Sequence, residues 1–248
     1  MAWRYPLFAA ALVAVFAFSA LAEDKKSGFD FMTPENQAMQ RDDFSNPGML
    51  SIAEGERLWQ AACTGCHGEA RQSMRGVAIR YPQIDKQSGR LIDLQERINL
   101  CRREKQSAAP FAYESPELLA LTAYVAHQSR GQAIAPPSDA TLDTHRRKGE
   151  ALFQRRLGQL GLSCAACHEG RSGQRLGGSI IPQAHPTAYP LYRLEWQALG
   201  SLQRRLRNCM IGMRAEPFDY DSPEYVDLEA YLMERAKGMK VDAPAVRP

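Results

Sequence analysis

Cys63-Thr64-Gly65-Cys66-His67 and Cys164-Ala165-Ala166-Cys167-His168 share the spacing C-x-x-C-H. Two thiols three residues apart can add to the two vinyl groups of one porphyrin. The histidine that follows is then held beneath the ring, where it ligates iron from the proximal side. A single such pentapeptide could be a chance match or a redox dithiol. Two of them in matching contexts predict two covalently bound haem c groups, attached through Cys63, Cys66, Cys164 and Cys167, with His67 and His168 as proximal iron ligands.

The matching context is an internal repeat, the feature to seek before any other organisation. Gly55-x-x-Leu58-Trp59 stands before the first site and Gly149-x-x-Leu152-Phe153 before the second. Each has a glycine suited to a close helix crossing and an aromatic directed toward a haem edge, as in the N-terminal helix of a cytochrome c. The second copy carries a seven-residue insertion between the glycine and the first cysteine. Downstream, Tyr81-Pro82 answers Tyr189-Pro190, and Leu94-Gln95-x-Arg97-x-x-x-Cys101 answers Leu202-Gln203-x-Arg205-x-x-x-Cys209. After a one-residue slip, Pro110-Phe111-x-Tyr113-x-Ser115-Pro116-Glu117 answers Pro217-Phe218-x-Tyr220-x-Ser222-Pro223-Glu224.

Serine followed by proline is a helix start: the hydroxyl caps, and proline at the first helical position has no N–H to lose. Ser115 and Ser222 therefore begin the last helix of each copy, which should run toward Gly131 or Gly238. Leu118, Leu121 and Val125, and Leu228, Tyr231 and Leu232, recur at helical spacing and should bury one face. Pro136-Pro137 lies in a stretch poor in large apolar groups, which reads as a linker. The predicted fold is mainly α: two tandem cytochrome c-like domains with long loops, at 51–131 and 145–240, joined by a linker at 132–144. A mostly irregular N-terminal extension at 23–50 precedes them.

At the very start, Arg4 gives a positive n-region, Leu7 to Leu21 is almost wholly apolar, and Ala20-Leu21-Ala22 is an A-x-A cleavage site. Residues 1–22 thus read as a cleaved signal peptide that exports the chain to the periplasm. No later stretch approaches the roughly 20 apolar residues of a membrane span. The 248 residues, 44% hydrophobic and 24% charged, exclude a disordered, collagenous or multi-span chain. A formal charge of +3 with no basic block interleaved with aromatics argues against nucleic acid.

The sixth position on each iron decides the chemistry. Met74 follows His67 too closely to swing over the opposite haem face, and His127, on a predicted helix, has Glu234 as its counterpart. His145 and His185 also lack counterparts. Cys101 and Cys209 occupy the same place in both copies, which suggests a thiolate on each iron. The alternative is a Cys101–Cys209 disulfide or two buried thiols. Arg205 lies one helical turn before Cys209, close enough to activate the sulfur and bind a small oxyanion. Arg204, Arg207 and Arg214 add charge nearby; solvated helix charges or haem propionate partners explain Arg204 and Arg207. Arg97 holds the same relation to Cys101, so the arginines alone do not say which haem meets substrate.

Beyond these sites, Pro34-Glu-x-Gln37-Ala-Met39-Gln40-x-Asp42-Asp43, Asn46-Pro47-Gly48 and Cys209-Met210-Ile-Gly-Met-Arg214-x-Glu216-Pro217 stand out. With the two C-x-x-C-H sites they make the chain resemble the SoxA family, dihaem subunits of the periplasmic SoxAX cytochrome of sulfur-oxidising bacteria, over essentially the whole mature length. Some family members lack the first haem site, which implies that the C-terminal haem is the catalytic one. The resemblance implies that Cys209 is both distal ligand of the second haem and the catalytic cysteine, carried as a persulfide. It implies that Arg205 binds substrate and that Cys101 is the distal ligand of the first haem. The implied activity is that of an L-cysteine S-thiosulfotransferase: thiosulfate is joined oxidatively to a cysteine of the carrier SoxYZ. Two electrons pass to the haems, then to the monohaem partner SoxX and a small cytochrome c. A thiosulfate dehydrogenase forming tetrathionate and a non-enzymatic dihaem electron carrier are the alternatives.

Overall fold

A computed structural model describes Met1 and residues 24–248, so the signal peptide expected at 1–22 lies, apart from Met1, outside the described residues. The first unit contains α1 (Pro34–Arg41), α2 (Gly48–Ala62), α3 (Thr64–His67), α4 (Ala70–Ser73), α5 (Leu94–Lys105) and α6 (Pro116–His127). The second contains α7 (Ala140–Gln154), α8 (Cys164–His168), α9 (Leu202–Gly212) and α10 (Pro223–Arg235). Strands are short. β1 (Gln83–Ile84) pairs with β2 (Leu91–Ile92), and β3 (Arg175–Leu176) with β4 (Ser179–Ile180). β5 (Leu191–Arg193) lies between β6 (Ala198–Gly200), which is antiparallel to it, and β7 (Val246–Arg247), which is parallel.

The repeat is a repeat of packing. In the first unit α2 crosses α6, and in the second α7 crosses α10. A Cβ on Gly55 would stand 2.2 Å from the Ala120 carbonyl oxygen, and one on Gly149 would stand 2.1 Å from that of Asp227. The backbones of each pair therefore meet through a glycine. Beside each crossing an aromatic pair closes the contact: Trp59 with Tyr124 at 6.1 Å and Phe153 with Tyr231 at 5.4 Å between ring centroids. Gly149→Ala must push two helices apart, an overpacking cost of about 3 kcal/mol. A lower urea midpoint with an unchanged slope is the expected result; a midpoint equal to wild type would show that the crossing gives way freely.

Ser115 and Ser222 accept hydrogen bonds from the backbone N–H of Leu118 and Tyr225, and Pro116 and Pro223 open the helices. The regular helices stop at His127 and Arg235, and turns carry the chain on to Gly131 and Gly238, both at positive φ. The glycines reverse the chain rather than cap the last helical residue. α6 departs from the expected one-sided burial, since every residue from Leu118 to Val125, and Ala126, is buried. It is covered on one side by α2 and on another by the C-terminal segment, where Ala126 packs with Ile134, Ala236, Val241 and Ala243. A helix apolar all round is a helix enclosed all round.

Two segments are more ordered than expected. Asp139 caps α7, accepting from Thr141 N–H at 2.7 Å, so the helix starts at Ala140, inside the stretch assigned to the linker. Leu142, 1% exposed, anchors that early start beside Leu91, Val226 and Ala230. In the N-terminal extension, Thr33 accepts from Asn36 N–H and Pro34 opens α1. The extension grips the C-terminal tail. Gln40 Oε1 accepts from Val246 N–H at 3.2 Å, and Asn46 Nδ2 donates to the Pro244 carbonyl at 2.9 Å. At the seam between the units, Tyr113 and Tyr220, equivalent in the repeat, stack at 6.3 Å with their planes 10° apart. No described helix is long and apolar enough to cross a membrane.

Candidate functional site

In the first unit α2 runs straight into the C-x-x-C-H turn. Cys63 N–H donates to the Trp59 carbonyl at 2.8 Å, and Cys63 precedes α3, which ends on His67. The Trp59 ring lies 5.6 Å from that of His67, and its indole N–H donates to the Gly68 carbonyl. Burial and then the neighbouring Cys101 push the Cys63 thiol up to about 11, so α5 brings Cys101 toward the attachment turn. Asn99, fully enclosed, clasps Phe111 through both backbone groups at 3.0 and 2.9 Å and fixes the loop under α5. Cys63, Leu58, Met74, Ile98 and Phe111 belong to a half-buried apolar set packed against the core of the first unit. Met74 is thus a packing residue of this set.

The second unit encloses its site more fully. Ser163 caps α8 by accepting from Ala166 N–H at 3.1 Å. Burial and then Cys209 push the Cys164 thiol up to about 11. His168 Nδ1 sits 2.7 Å from the Pro182 carbonyl oxygen, so its N–H donates there and leaves Nε2 for a metal. Burial holds this imidazole below the ordinary histidine range, which keeps the ring neutral. Ser201 caps α9, and the inserted loop braces the other end of that helix: Gln159 N–H donates to the Arg214 carbonyl at 3.2 Å. His168, Cys209 and Arg205 meet in one cavity of about 310 Å³, with Leu206, Leu232 and Tyr189 in its wall.

What separates the two units is the fate of the matched arginines. Arg97 points its guanidinium at Asp85, 3.5 Å away, and its charge is neutralised. Arg205, among the described residues, makes no ion pair. Burial opposes its charge, but Cys209, Tyr189 and Glu195 together outweigh burial and hold it above its ordinary value. The other arginines are engaged elsewhere: Arg204 lies over the Trp196 ring at 4.2 Å, and Arg207 donates to the Phe218 carbonyl and covers Tyr220 at 4.6 Å. Arg214 adopts a left-handed backbone at the helix end.

No disulfide joins Cys101 to Cys209. His127 is half-buried, with Nδ1 3.2 Å from the Ala243 carbonyl, because the C-terminal segment folds over its helix. His145 ties α7 to α10 through Asp227 at 2.6 Å. His185 lines the cavity beside the Lys26 carbonyl, 2.8 Å from its Nδ1. Sequence reasoning missed Pro182, Asp85, Tyr189 as a cavity wall, and Arg247, which β7 brings into the same wall from the far end of the chain. Only Tyr189 carried a signal, its Tyr-Pro match in the repeat.

These donor sets fit a covalently held haem c. Each attachment turn places its histidine and cysteines on one helical turn, each unit adds a cysteine from its next long helix, and apolar side chains surround both. The family described as SoxA/TsdA, cytochrome c domain, matches residues 54–134 and 148–241. The L-cysteine S-thiosulfotransferase subunit SoxA of Rhodovulum sulfidophilum is 33% identical over 91% of this chain and 81% of that relative. The corresponding subunit of Pseudaminobacter salicylatoxidans is 34% identical over 89% and 80%. The crystal structure of SoxXA from P. pantotrophus superposes with a TM-score of 0.87 at 29% identity, covering 90% of this chain and 87% of that one. With its repeated architecture and its match to these relatives along nearly its whole length, this chain belongs to the SoxA family of cytochrome c proteins.

Proposed function

We propose that this chain is the catalytic subunit of an L-cysteine S-thiosulfotransferase, with its chemistry at Cys209 in the second unit. The observation that carries this is the contrast between Arg205, buried beside Cys209 with no carboxylate in ion-pair contact because the nearby Glu195 is bound to Arg193, and Arg97, paired with Asp85. Two haem c groups are held, one through Cys63 and Cys66 with His67 and Cys101 as iron ligands, the other through Cys164 and Cys167 with His168 and Cys209. When bound, the haems accept the electrons that the sulfur chemistry releases.

The residues account for the remaining work. Thiosulfate is a dianion, and Arg205 can pair with it bidentately where burial keeps water away. Cys209, as a persulfide, holds sulfur next to that guanidinium. A carrier thiol, RSH, and thiosulfate are joined as RS–S–SO₃⁻: one S–S bond forms, the thiol loses its proton, and two electrons leave. His168 stays fixed by Pro182, so the ring does not shift as charge changes.

The carrier is SoxYZ, the monohaem partner is SoxX in a heterodimer, and a small cytochrome c takes the electrons onward. The chain works in the periplasm after export by its N-terminal signal. The deciding assay adds thiosulfate to the purified holoprotein with SoxX, with and without SoxYZ bearing its free cysteine, and follows haem reduction. Reduction that needs the carrier, with the carrier gaining the thiosulfate mass, is expected. Reduction without a carrier, with tetrathionate as product, would replace this activity by that of a thiosulfate dehydrogenase; no reduction in either case would leave an electron carrier.

A further inference from the structure

Where the two units meet, α5, α9 and α10 bring together two buried carboxylates, Asp93 and Glu229, with no described cation paired to either. Asp93 caps α5, accepting from Glu96 N–H at 2.7 Å and from Gln203 Nε2 at 3.2 Å. Gln203, on the first turn of α9, has no exposed surface, and its Oε1 accepts from Asp221 N–H at 2.8 Å. Glu229 sits in the middle of α10, and it shares with Asp93 the wall of a cavity of about 90 Å³. Asp93 is 4% exposed and Glu229 8%.

The charged groups around this pair offer no relief. Arg103 is bound to Glu96 at 2.7 Å and Arg90 to Asp221 at 3.4 Å, and no described cation pairs with Asp93 or Glu229. Tyr113 also faces Asp93, Glu96 and Asp221. Acceptors exceed donors here. Gln95, 5% exposed and in the same cavity wall, has an Oε1 with no hydrogen-bond partner, and the Thr122 hydroxyl is spent on the Leu118 carbonyl. Two carboxylates in a buried cleft without a counter-ion cannot both stay ionised.

We propose that Asp93 and Glu229 hold a single proton between them, forming a proton-binding site at the seam whose emptying weakens the docking of the two units. The proton resides on Glu229, because the Gln203 side chain serves both carboxylates while Asp93 alone also accepts from the Glu96 backbone N–H and the Gln95 side chain, which favour its charged form. Burial acts in the same direction on both groups, pushing Asp93 up to about 7 and Glu229 well above its ordinary value, with the charges of Asp221 and Glu96 adding to the first and those of Asp93 and Asp221 to the second. The folded pair thus keeps a proton that the unfolded chain gives up near the ordinary 3.8 and 4.5 of the two carboxyls. The stability it contributes is complete below those values and is lost as pH rises from there through the raised range of the Glu229 carboxyl. Both helices that carry Cys101 and Cys209 start at this point, α5 capped by Asp93 and α9 with Gln203 in its first turn.

Urea unfolding of the dihaem holoprotein from about pH 5 to about pH 8.5 tests this, comparing wild type, Glu229→Gln and, as a surface control, Glu150→Gln. An amide mimics the protonated acid, so Glu229→Gln should lose most of the fall in midpoint with rising pH that wild type and the control show. Equal pH slopes for wild type and Glu229→Gln would overturn the proposal. Should that variant fail to fold, infrared difference spectra of wild type between the same pH limits decide: a buried carboxylic acid band that vanishes on raising pH supports the shared proton, and its absence refutes it.

Discussion

Cys209→Ser is expected to abolish carrier-dependent haem reduction by thiosulfate, a loss of about 10⁴-fold or more, as when an enzyme loses its reacting nucleophile. A hydroxyl in this cavity is nearly the same size as the thiol, so the walls formed by Leu206, Leu232 and Tyr189 have no reason to rearrange. What disappears is the sulfur: serine forms no persulfide and is a poor ligand for haem iron. Covalent attachment through Cys164 and Cys167 should survive, because those thiols are on α8 and Cys209 is on α9. Cys101→Ser serves as the matched comparison and should leave measurable coupling. A Cys209→Ser protein that still loads the carrier would move the chemistry away from the second unit.

Arg205→Ala should lower kcat/KM for thiosulfate by about 10²- to 10³-fold, which corresponds to roughly 3–4 kcal/mol for a buried charged hydrogen-bonding partner. Arg205→Lys keeps the charge but loses the bidentate fork and should recover only part of the activity. Arg97→Ala, at the equivalent place in the first unit, removes an ion pair whose arginine is 37% exposed, and it should change kcat/KM by no more than about twofold. Steady-state kinetics across a thiosulfate series reads all three. Equal losses for Arg97→Ala and Arg205→Ala would show that the Asp85 contrast has no bearing on substrate.

The parts legible in the sequence were those governed by local rules. Ser115-Pro116 and Ser222-Pro223 announce helix starts because capping and the missing proline N–H act within one turn. Gly55 and Gly149 announced close crossings because they recur at one place in a repeat, and the carbonyls of Ala120 and Asp227 fill the space where side chains would be. Thr33-Pro34 carried the same start signal for α1 and was passed over, since the helix is short and lacks an apolar period. The proposed site residues Cys101, Arg205 and Cys209 stand out as repeated spacings.

What stayed hidden depends on chain segments far apart in sequence. Asp85 neutralises Arg97 from a neighbouring hairpin turn, a difference between copies that no spacing encodes. Arg247 reaches the cavity because β7 pairs with β5, and Val246 N–H finds Gln40 more than 200 residues away. The acidic seam is equally invisible: Asp93 reads as an ordinary helix cap and Glu229 as an ordinary helical glutamate until α9 lays Gln203 between the units.

The central claim is that Cys209 carries the reactive sulfur. It is tested most directly by the intact mass of the purified holoprotein before and after mild reductant, for wild type and Cys209→Ser. The account predicts a wild-type mass of the chain with two haems and one additional sulfur that reductant removes, and a Cys209→Ser mass with two haems and no removable sulfur. A removable sulfur that persists in Cys209→Ser would contradict it.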